Sequence, residues 1–369
     1  MGGEQDLTLR SAVRPHVLVV GTGIIGASIA WHLARDGARV SIVDARTPGG
    51  VATGNSWAWI NASWGNPEPY FRLRVRSMAE WRRLEREVPG LQIAWRGSLL
   101  WDLDPEALEA YAVEHAGWGY DLRRVDRAEV SRLEPRLAQP PEFAVHAPGE
   151  GAVEPLAASG ALLAAAVAHG AVVLAPVTVR RLICSGGRVA GVETEAGRIE
   201  ADEIVVAAGV ETAALAATAG VALPLKASSA MLIASRPLDP LLNGLVVTPE
   251  MELRQTVEGR LLAATDFDDT EPGNDAAAAA AALFDAVRRT IRSNVPIVPE
   301  FHRIGHRPIP RDGFPAVGRA AGIAGLYLAV THSGITLAPA IGRFAADEIL
   351  SGRRDPLLVP YEPARFESI

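Results

Sequence analysis

The stretch HVLVVGTGIIGASIAWHLARDGARVSIVD, from His16 to Asp44, decides the fold of the first part of this chain. It begins with a short apolar run at 17–20, which predicts a buried parallel strand. A glycine-rich turn and an amphipathic helix over about 24–35 follow, and residues 40–43 predict a second strand. The order strand, turn, helix, strand is typical of one half of a Rossmann-like nucleotide-binding unit.

Three glycines, Gly21, Gly23 and Gly26, give the turn the spacing G-x-G-x-x-G. The first allows a tight turn, the second lets a pyrophosphate approach the backbone, and the third lets helix and strand pack closely. The N-terminus of the helix then points its free N–H groups at the phosphate. Asp44 lies 18 residues beyond Gly26, where a carboxylate can accept hydrogen bonds from a ribose. These residues predict an adenine dinucleotide site without distinguishing FAD, NAD and NADP.

The composition is that of an ordinary globular protein of one composite domain or two domains, with 369 residues, 49% apolar and 21% charged. A net charge of −7 and a pI near 5.7 argue against nucleic acid as a partner. Cys184 is the single cysteine, which excludes an intrachain disulfide and a cysteine-based metal cluster, and we predict no metal site. The first residues contain no apolar signal-peptide core, and no window approaches about 18 unbroken strongly apolar residues. We therefore expect a cytoplasmic protein with no integral membrane segment.

The far end of the chain contains a second element of the loop-to-helix kind. Residues 326–330 predict a buried strand, THSGITLAP predicts a turn, and residues 340–350 predict a helix. A turn followed by a helix again offers backbone N–H groups to a ligand. Such elements near both ends of the chain are what one cofactor held by distant parts of the sequence would need.

The tryptophans are concentrated in the first third of the chain. All eight lie between Trp31 and Trp118, and Trp57, Trp59 and Trp64 fall within one short segment. Tryptophan clusters usually build a core or an interface. The alternative is that Trp57 and Trp59 line a flat cofactor or substrate pocket, and Trp57 is kept as a candidate for the substrate site.

Four blocks of sequence together indicate a family. They are VVGTGIIGASIAWHLARDGARVSIVD followed by GGVATGNS; GAVVLAPVTVRRL with GGRVAGVETEAGRIEADEIVVAAG; GHRPIPRDGFPAVG; and LYLAVTHSGITLAPAIGRFAADEILSG. Over about residues 16–350 the chain resembles the FAD-dependent D-amino acid oxidase family, which includes glycine oxidase, sarcosine oxidase and D-amino acid dehydrogenases. The third block is similar to the family's R-P-x-x-x-D-G-x-P-x-x-G.

The resemblance implies non-covalently bound FAD and an α/β fold with two lobes. The Rossmann-like FAD-binding lobe is expected over 12–90, 152–222 and 304–369, and the substrate lobe, built on an antiparallel sheet, over 91–151 and 223–303. The cofactor-binding residues it implies lie in the glycine turn, the acidic strand end, the second glycine loop, the strands on the adenine side and the closing loop: Gly21, Gly23, Ile24, Ile25, Gly26, Asp44, Ala45, Arg46, Thr53, Gly54, Asn55, Ser56, Val177, Ala208, Gly209, Gly334, Ile335, Thr336 and Leu337.

An amino acid substrate needs an anchor for its carboxylate, and an arginine often supplies one as a bidentate pair. Arg307 stands where glycine-oxidase-like members carry the arginine of their R-P motif, so the resemblance implies that it is this clamp. The alternative is a structural arginine that pairs with Asp312 on the surface. His332 falls in the turn implied to face the flavin, where it contacts the flavin or the substrate, or caps the following helix.

Two departures from the family bear on the substrate. Lys226, the single lysine of the chain, lies where many relatives read P-x-R-G, and it either faces the flavin and assists the reaction with oxygen or stands there by chance. Trp57 and Trp59 occupy a strand on which sarcosine-oxidase-like members place arginines. Sarcosine itself is therefore not the expected substrate, and a bulkier or more apolar amino acid is favoured.

The leading hypothesis is an FAD-dependent enzyme that oxidises the carbon–nitrogen bond of an amino acid or related amine: glycine, a D-amino acid, or an N-alkyl or cyclic amino acid. A hydride passes to flavin N5, the resulting imine hydrolyses, and O2 or another acceptor takes the electrons. The sequence is compatible with an oligomer. One alternative is an FAD-dependent 2-hydroxy-acid dehydrogenase, for which His332 or His306 is the available base. Another is a flavin-binding subunit of a multi-chain electron-transfer complex.

Overall fold

The two opening strands are neighbours inside a six-stranded sheet, and the helix between them packs on one face of it. The computed structural model describes residues 14–63, 65–267 and 275–366. Trp64 and the predicted lobe residues 12–13, 268–274 and 367–369 lie outside the described residues. Three further sheets complete the described part of the chain. This mixed α/β architecture confirms the predicted fold class.

The α-helices of the described residues are α1 (Ile24–Arg35), α2 (Val51–Gly54), α3 (Glu68–Glu87), α4 (Pro105–Gly117), α5 (Arg127–Leu133), α6 (Pro155–Ala168), α7 (Thr212–Ala217), α8 (Ala276–Thr290) and α9 (Gly334–Ser351). The strands are β1 (His16–Val20), β2 (Arg39–Val43), β3 (Trp59–Ile60), β4 (Ile93–Ala94), β5 (Ser98–Leu100), β6 (Arg123–Asp126), β7 (Phe143–Ala147), β8 (Gly151–Val153), β9 (Val172–Leu174), β10 (Val179–Ser185), β11 (Arg188–Thr194), β12 (Gly197–Glu200), β13 (Glu203–Val206), β14 (Leu225–Ser235), β15 (Leu245–Val247), β16 (Glu252–Gln255), β17 (Leu261–Asp266), β18 (Pro299–Pro310), β19 (Ala316–Arg319) and β20 (Leu326–Val330).

The six-stranded sheet has the order β19-β20-β13-β1-β2-β9 and is parallel except for β19. Every residue of β1 is buried, as expected for a parallel strand with both faces covered. Helix α1 packs between α6 and α9 on one of those faces. Because β1, β2 and β13 run in the same direction, their carboxyl ends meet at one edge, where ligands bind in folds of this type.

The eight-stranded sheet has the order β18-β14-β17-β16-β15-β5-β7-β6 and is antiparallel except where β15 runs beside β5. Helix α8 packs against β14, β17 and β18 and covers one face. Seven of these strands lie within the predicted substrate segments, whereas β18 crosses the predicted boundary at residue 304. A small sheet of β3, β8 and β4 joins the predicted lobes. Strand β3 belongs to the predicted FAD-binding lobe, and β4 belongs to the predicted substrate lobe. The lobe boundaries themselves stay a prediction.

Helix α9 begins six residues before the predicted start at residue 340. The prediction was wrong because Pro339 lies inside the helix, where a proline normally ends a helical pattern. Pro339 has no N–H for the carbonyl of Ile335, but Trp81 Nε1 of α3 donates a hydrogen bond to that oxygen at 2.9 Å. A tertiary contact thus replaces the lost helical bond and lets the helix reach the edge of the six-stranded sheet.

Two buried serines near α9 differ in their hydrogen bonding, and we expect their replacement to change stability in different ways. Ser77 Oγ accepts the Ala340 N–H at 3.2 Å, whereas the Ser28 hydroxyl on α1 has no hydrogen-bond partner in the described part of the chain. Both serines are fully buried. We expect Ser77→Ala to lower the free energy of unfolding by about 1 kcal/mol. Ser28→Ala should be neutral or slightly stabilising, because it removes a buried hydroxyl without a partner.

Urea unfolding of the two variants at one fixed FAD concentration measures this difference, since a ligand that binds the folded state adds to apparent stability. Equal midpoints for Ser77→Ala and wild type would contradict a stabilising role for the α3–α9 bond.

Candidate active site

A cavity of about 1350 Å3 lies between the carboxyl ends of the parallel strands and one face of the eight-stranded sheet. Its wall on the first side includes residues that follow β1, β2 and β13, and its wall on the other side includes residues of β14, β16, β17 and β18. The start of α9 closes the space between them. The cavity therefore places both predicted lobes around one volume large enough for a dinucleotide and a small substrate.

The three glycines of the turn differ in what surrounds them. Gly21 has φ of +111°, and a Cβ there would lie 2.4 Å from the Ala207 carbonyl oxygen. A Cβ on Gly26 would lie 2.0 Å from the Gly21 carbonyl oxygen. At Gly23 the nearest atom to a Cβ is the Thr53 hydroxyl at 3.3 Å, and the residue borders the cavity. The first and third glycines are thus required by protein packing. The second has no side chain at the cavity wall, which lets a ligand approach the backbone closely.

Hydrogen bonds hold the Asp44 carboxylate at the end of β2. Its Oδ2 accepts from the backbone N and Oγ1 of Thr22 at 2.8 and 2.6 Å, and its Oδ1 accepts from the Arg46 backbone N at 2.9 Å. These bonds orient the carboxylate at the wall of the cavity and leave it further acceptor capacity for a ribose hydroxyl. The role of Thr22 was missed, because it is one of the unspecified positions of the glycine motif.

Most of the predicted site residues border this cavity. They are Gly21, Gly23, Ile24, Ile25, Asp44, Ala45, Arg46, Thr53, Asn55, Ser56, Trp57, Val177, Ala208, Gly209, Arg307, His332, Gly334, Ile335 and Thr336.

Four predicted residues lie elsewhere. Gly26 packs on the turn beneath the cavity, and Gly54 faces the side chain of Leu156. Leu337 is completely buried, and its N–H donates to the Ser333 carbonyl at 3.1 Å within the first turn of α9. Lys226 is exposed on β14 and does not border the cavity. Any contribution of these four residues to the site is indirect in this structure.

Arg307 lies on β18 with its guanidinium in the cavity. Its Nη2 is 2.8 Å from Asp266 Oδ1 and donates to Ser228 Oγ at 3.2 Å. The alternative pairing with Asp312 does not occur, because Asp312 accepts two hydrogen bonds from Arg365 at 2.7 and 3.0 Å. Arg307 therefore pairs with Asp266, and not with Asp312, in this structure.

His332 lies beside Arg307 in the turn before α9. Its Nε2 is 3.5 Å from Arg307 Nη1, and its Nδ1 is 3.0 Å from Ser333 Oγ. Burial, together with the nearby Arg307 and Arg74 guanidinium groups, lowers the pKa of His332 to about 4. The imidazole is therefore neutral at pH 7, and this pattern assigns the proton to Nδ1, with Nε2 as the acceptor facing Arg307.

A buried arginine of α3 holds the same turn. Arg74 Nη1 donates to Ser333 Oγ at 2.8 Å, and its Nε donates to the Asn61 carbonyl at 3.1 Å. Ser333 adopts φ of +56°, a left-handed conformation that a serine keeps only when its surroundings impose it. Thr336 Oγ1 also donates to the Trp59 carbonyl at 3.0 Å. These bonds fix the backbone N–H groups at the start of α9 against the cavity.

Among the charged residues that border the cavity, sequence reasoning missed Arg74, Glu252 and Asp266. Arg74 lies in a helix with many exposed arginines, and its burial is the only signal that separates it from them. Glu252 and Asp266 face the cavity only through the register of β16 and β17, which no local pattern shows.

The low pKa of His332 has a consequence for stability. In the unfolded chain this imidazole takes up its proton near its ordinary pKa of 6.5, whereas the folded protein binds that proton only near pH 4. Between these values the unfolded state binds more protons, so stability falls as the pH falls through this window. His332→Gln removes this contribution.

Thermal unfolding at about pH 7.5 and about pH 5 measures the effect. We expect wild type to lose more stability between the two pH values than His332→Gln does. The exposed His169 provides the control variant, His169→Gln. If wild type and both variants lose stability equally on acidification, His332 is not held neutral by the fold.

The comparisons with known proteins agree with this geometry. Residues 16–348 match the family of FAD-dependent oxidoreductases known as DAO, and the chain belongs to that family. Among its relatives are a glycine oxidase of Geobacillus kaustophilus, 29% identical over 90% of this chain and 92% of that protein, and a D-amino-acid oxidase of Bradyrhizobium diazoefficiens, 26% identical over 95% of this chain and 96% of that protein. The crystal structure of L-proline dehydrogenase from P. horikoshii has the same fold, with a TM-score of 0.85, 23% identity, and coverage of 96% of this chain and 98% of that one.

The protein is thus an FAD-dependent oxidoreductase, and its own residues fit the cofactor. Gly23, the N-terminus of α1 and the Asp44 carboxylate form one cradle at the cavity wall, and the residues after β13 and the start of α9 extend it. Cys184 is exposed and does not border the cavity. No helix of the described residues has the length and apolar character needed to cross a membrane.

Proposed function

We propose that this protein oxidises the carbon–nitrogen bond of an amino acid or related amine, such as glycine, a D-amino acid, or an N-alkyl or cyclic amino acid. FAD held by the cradle of Gly23, Asp44 and the N-terminus of α1 would supply a hydride acceptor at its N5 atom, so that the carbon next to the amine would lose a hydride and the resulting imine would be hydrolysed by water. The observation that carries the proposal is the position of Arg307, which presents a guanidinium to the cavity from the wall opposite the dinucleotide cradle.

Arg307 binds the substrate carboxylate as a two-pronged donor in place of Asp266. The anchored substrate then lies between the eight-stranded sheet and the cofactor cradle with its α-carbon towards the cofactor. His332, which is neutral, accepts from Arg307 and adds no charge that would repel the guanidinium. Backbone N–H groups at the start of α9 favour negative charge at the adjacent part of the cofactor.

Anaerobic bleaching of the flavin in the purified protein tests this proposal. D- and L-amino acids, N-methyl and cyclic amino acids, simple amines and 2-hydroxy acids are each mixed with the protein. Bleaching by an amino compound is the expected result, and the return of colour on admitting air then identifies O2 as an acceptor. Bleaching by 2-hydroxy acids alone would overturn the proposal, and so would a flavin that no compound of the panel reduces.

A further inference from the structure

The substrate side of the cavity has a floor of small residues on one face of the eight-stranded sheet. Ala230, Ala264 and Gly305 lie on neighbouring strands and border the cavity. The small side chains of Ala230 and Ala264 leave space above the sheet, whereas Asn55 packs over Gly305, where an added Cβ would lie 3.0 Å from the Asn55 Cβ. The charged residues stand around this open floor, with Arg307 on β18 at one side and Glu252 on β16 at the other.

The strand order sets the backbone separation of these two residues. Strands β18, β14, β17 and β16 are consecutive, so Arg307 and Glu252 are three strand spacings apart across the sheet. At about 4.8 Å per spacing, their backbones are separated by roughly 14 Å in that direction alone. The Arg307 guanidinium covers most of this separation, because it reaches Asp266 on β17. A carboxylate that replaces Asp266 therefore lies about one strand spacing from β16, and a substrate side chain that extends towards β16 brings its end group to Glu252.

The Glu252 carboxylate has no hydrogen-bonding or ion-pair partner among the described residues, although it lies at the cavity wall opposite Ala264. By contrast, the Asp266 carboxylate forms an ion pair with Arg307 at 2.8 Å, and the Glu154 carboxylate forms one with Arg254 at 2.9 Å. A partnerless carboxylate that faces the substrate volume is costly unless a ligand satisfies it.

From this geometry we infer that Glu252 is a specificity-determining residue that binds a cationic group at the end of the substrate remote from its carboxylate. This inference rests on the proposed oxidation of an amino acid anchored by Arg307. The substrate class is therefore amino acids whose side chain or N-substituent carries an amine or a guanidinium. A guanidinium or ammonium donates the charge-assisted hydrogen bonds that the Glu252 oxygens lack in the ligand-free protein.

The titration of Glu252 makes the inference measurable. Burial and the negative charges of Asp266 and Asp102, opposed by Arg307, together raise the pKa of this carboxyl to about 7. A cationic side chain binds the ionised form, so its affinity increases as the pH rises through about 7. His332 also lines the cavity but stays neutral in this range, so it does not mask the change.

The experiment compares substrates that differ in charge and little in shape: lysine with norleucine, ornithine with norvaline, and arginine with citrulline, each as D and L forms. Anaerobic flavin reduction gives a second-order rate constant for each. We expect wild type to prefer the cationic member of at least one pair by about tenfold or more, and this ratio to grow between about pH 6 and about pH 8. Both members share the α-amine and the carboxylate, so the ratio cancels the pH dependence of those groups.

Glu252→Gln keeps the size of the side chain and removes its charge. We expect it to remove the preference, by lowering the rate constant of the cationic member about tenfold while the neutral member changes little. Glu250→Gln is the matched control, because Glu250 is exposed near the start of the same strand and pairs with Arg289 at 3.0 Å. This control should keep the preference of wild type.

Three outcomes would overturn the inference: wild type that prefers the neutral members, a ratio independent of pH, or equal losses for both members in Glu252→Gln. If Glu252→Gln does not fold, the ratio in wild type and its pH dependence decide the question without a variant. The proposed function fails separately, since in that case no amino compound reduces the flavin. Reduction by amino compounds with no preference for a cation would leave that function intact and contradict only the role of Glu252.

Discussion

Gly26→Ala will destabilise the protein by about 3 kcal/mol or more, because a methyl group has no room in this turn. A Cβ at this position would lie 2.0 Å from the carbonyl oxygen of Gly21, and that atom belongs to the backbone of the same turn. The two segments must separate to admit it, which displaces α1 from β1 and distorts the cradle for the dinucleotide. We therefore expect a lower unfolding temperature together with a reduced FAD content after purification.

A second helical glycine provides the matched control. Gly160 lies within α6, is exposed, and has no atom within 4 Å of an added Cβ. Gly160→Ala should stabilise the protein by about 0.5–1 kcal/mol, since alanine loses less backbone freedom than glycine when a helix forms. Urea unfolding of both variants at equal FAD measures the contrast. Similar midpoints for the two variants would contradict a packing role for Gly26.

Arg307→Met will reduce kcat/KM for a carboxylate-bearing substrate by about 100-fold or more, because the variant removes the guanidinium that anchors the carboxylate. It also leaves Asp266 without its partner at 2.8 Å. The loss should be small for an amine that has no carboxylate, since that substrate never uses the anchor. Steady-state kinetics with an amino acid and its decarboxylated analogue measure the difference.

Arg303→Met is the control for Arg307→Met. Arg303 lies four residues earlier on β18, is exposed, and places its guanidinium over the ring of Phe301 at 4.5 Å. This variant should keep the kinetic constants of wild type within about twofold, as expected for a surface arginine. Equal losses for the amino acid and the decarboxylated analogue in Arg307→Met would show that Arg307 maintains the structure rather than the carboxylate site.

The role of Arg307 shows how far a motif can be interpreted from sequence alone. Its position in the R-P motif predicted a carboxylate anchor or a pairing with Asp312, and only the structure separated the two. The pairing with Asp266 depends on the register of β18, β14 and β17, in which Ala230 lies between Gly305 and Asp266. Residues 41 positions apart in the chain meet in this way, and no local pattern encodes their distance.

The sequence by itself determined the nucleotide-binding half of this protein, because the physical demands there are local. A tight turn, a close approach of helix to strand and an acid at the next strand end all lie between His16 and Asp44, and each demand selects a residue type that can be recognised directly. The start of α9 and the charges around the substrate volume were decided only by the tertiary structure. Trp81 satisfies the carbonyl that Pro339 leaves open, and β16 and β17 carry Glu252 and Asp266 to the cavity. Such contacts depend on strand register and helix packing between distant segments, and those arise only when the chain has folded.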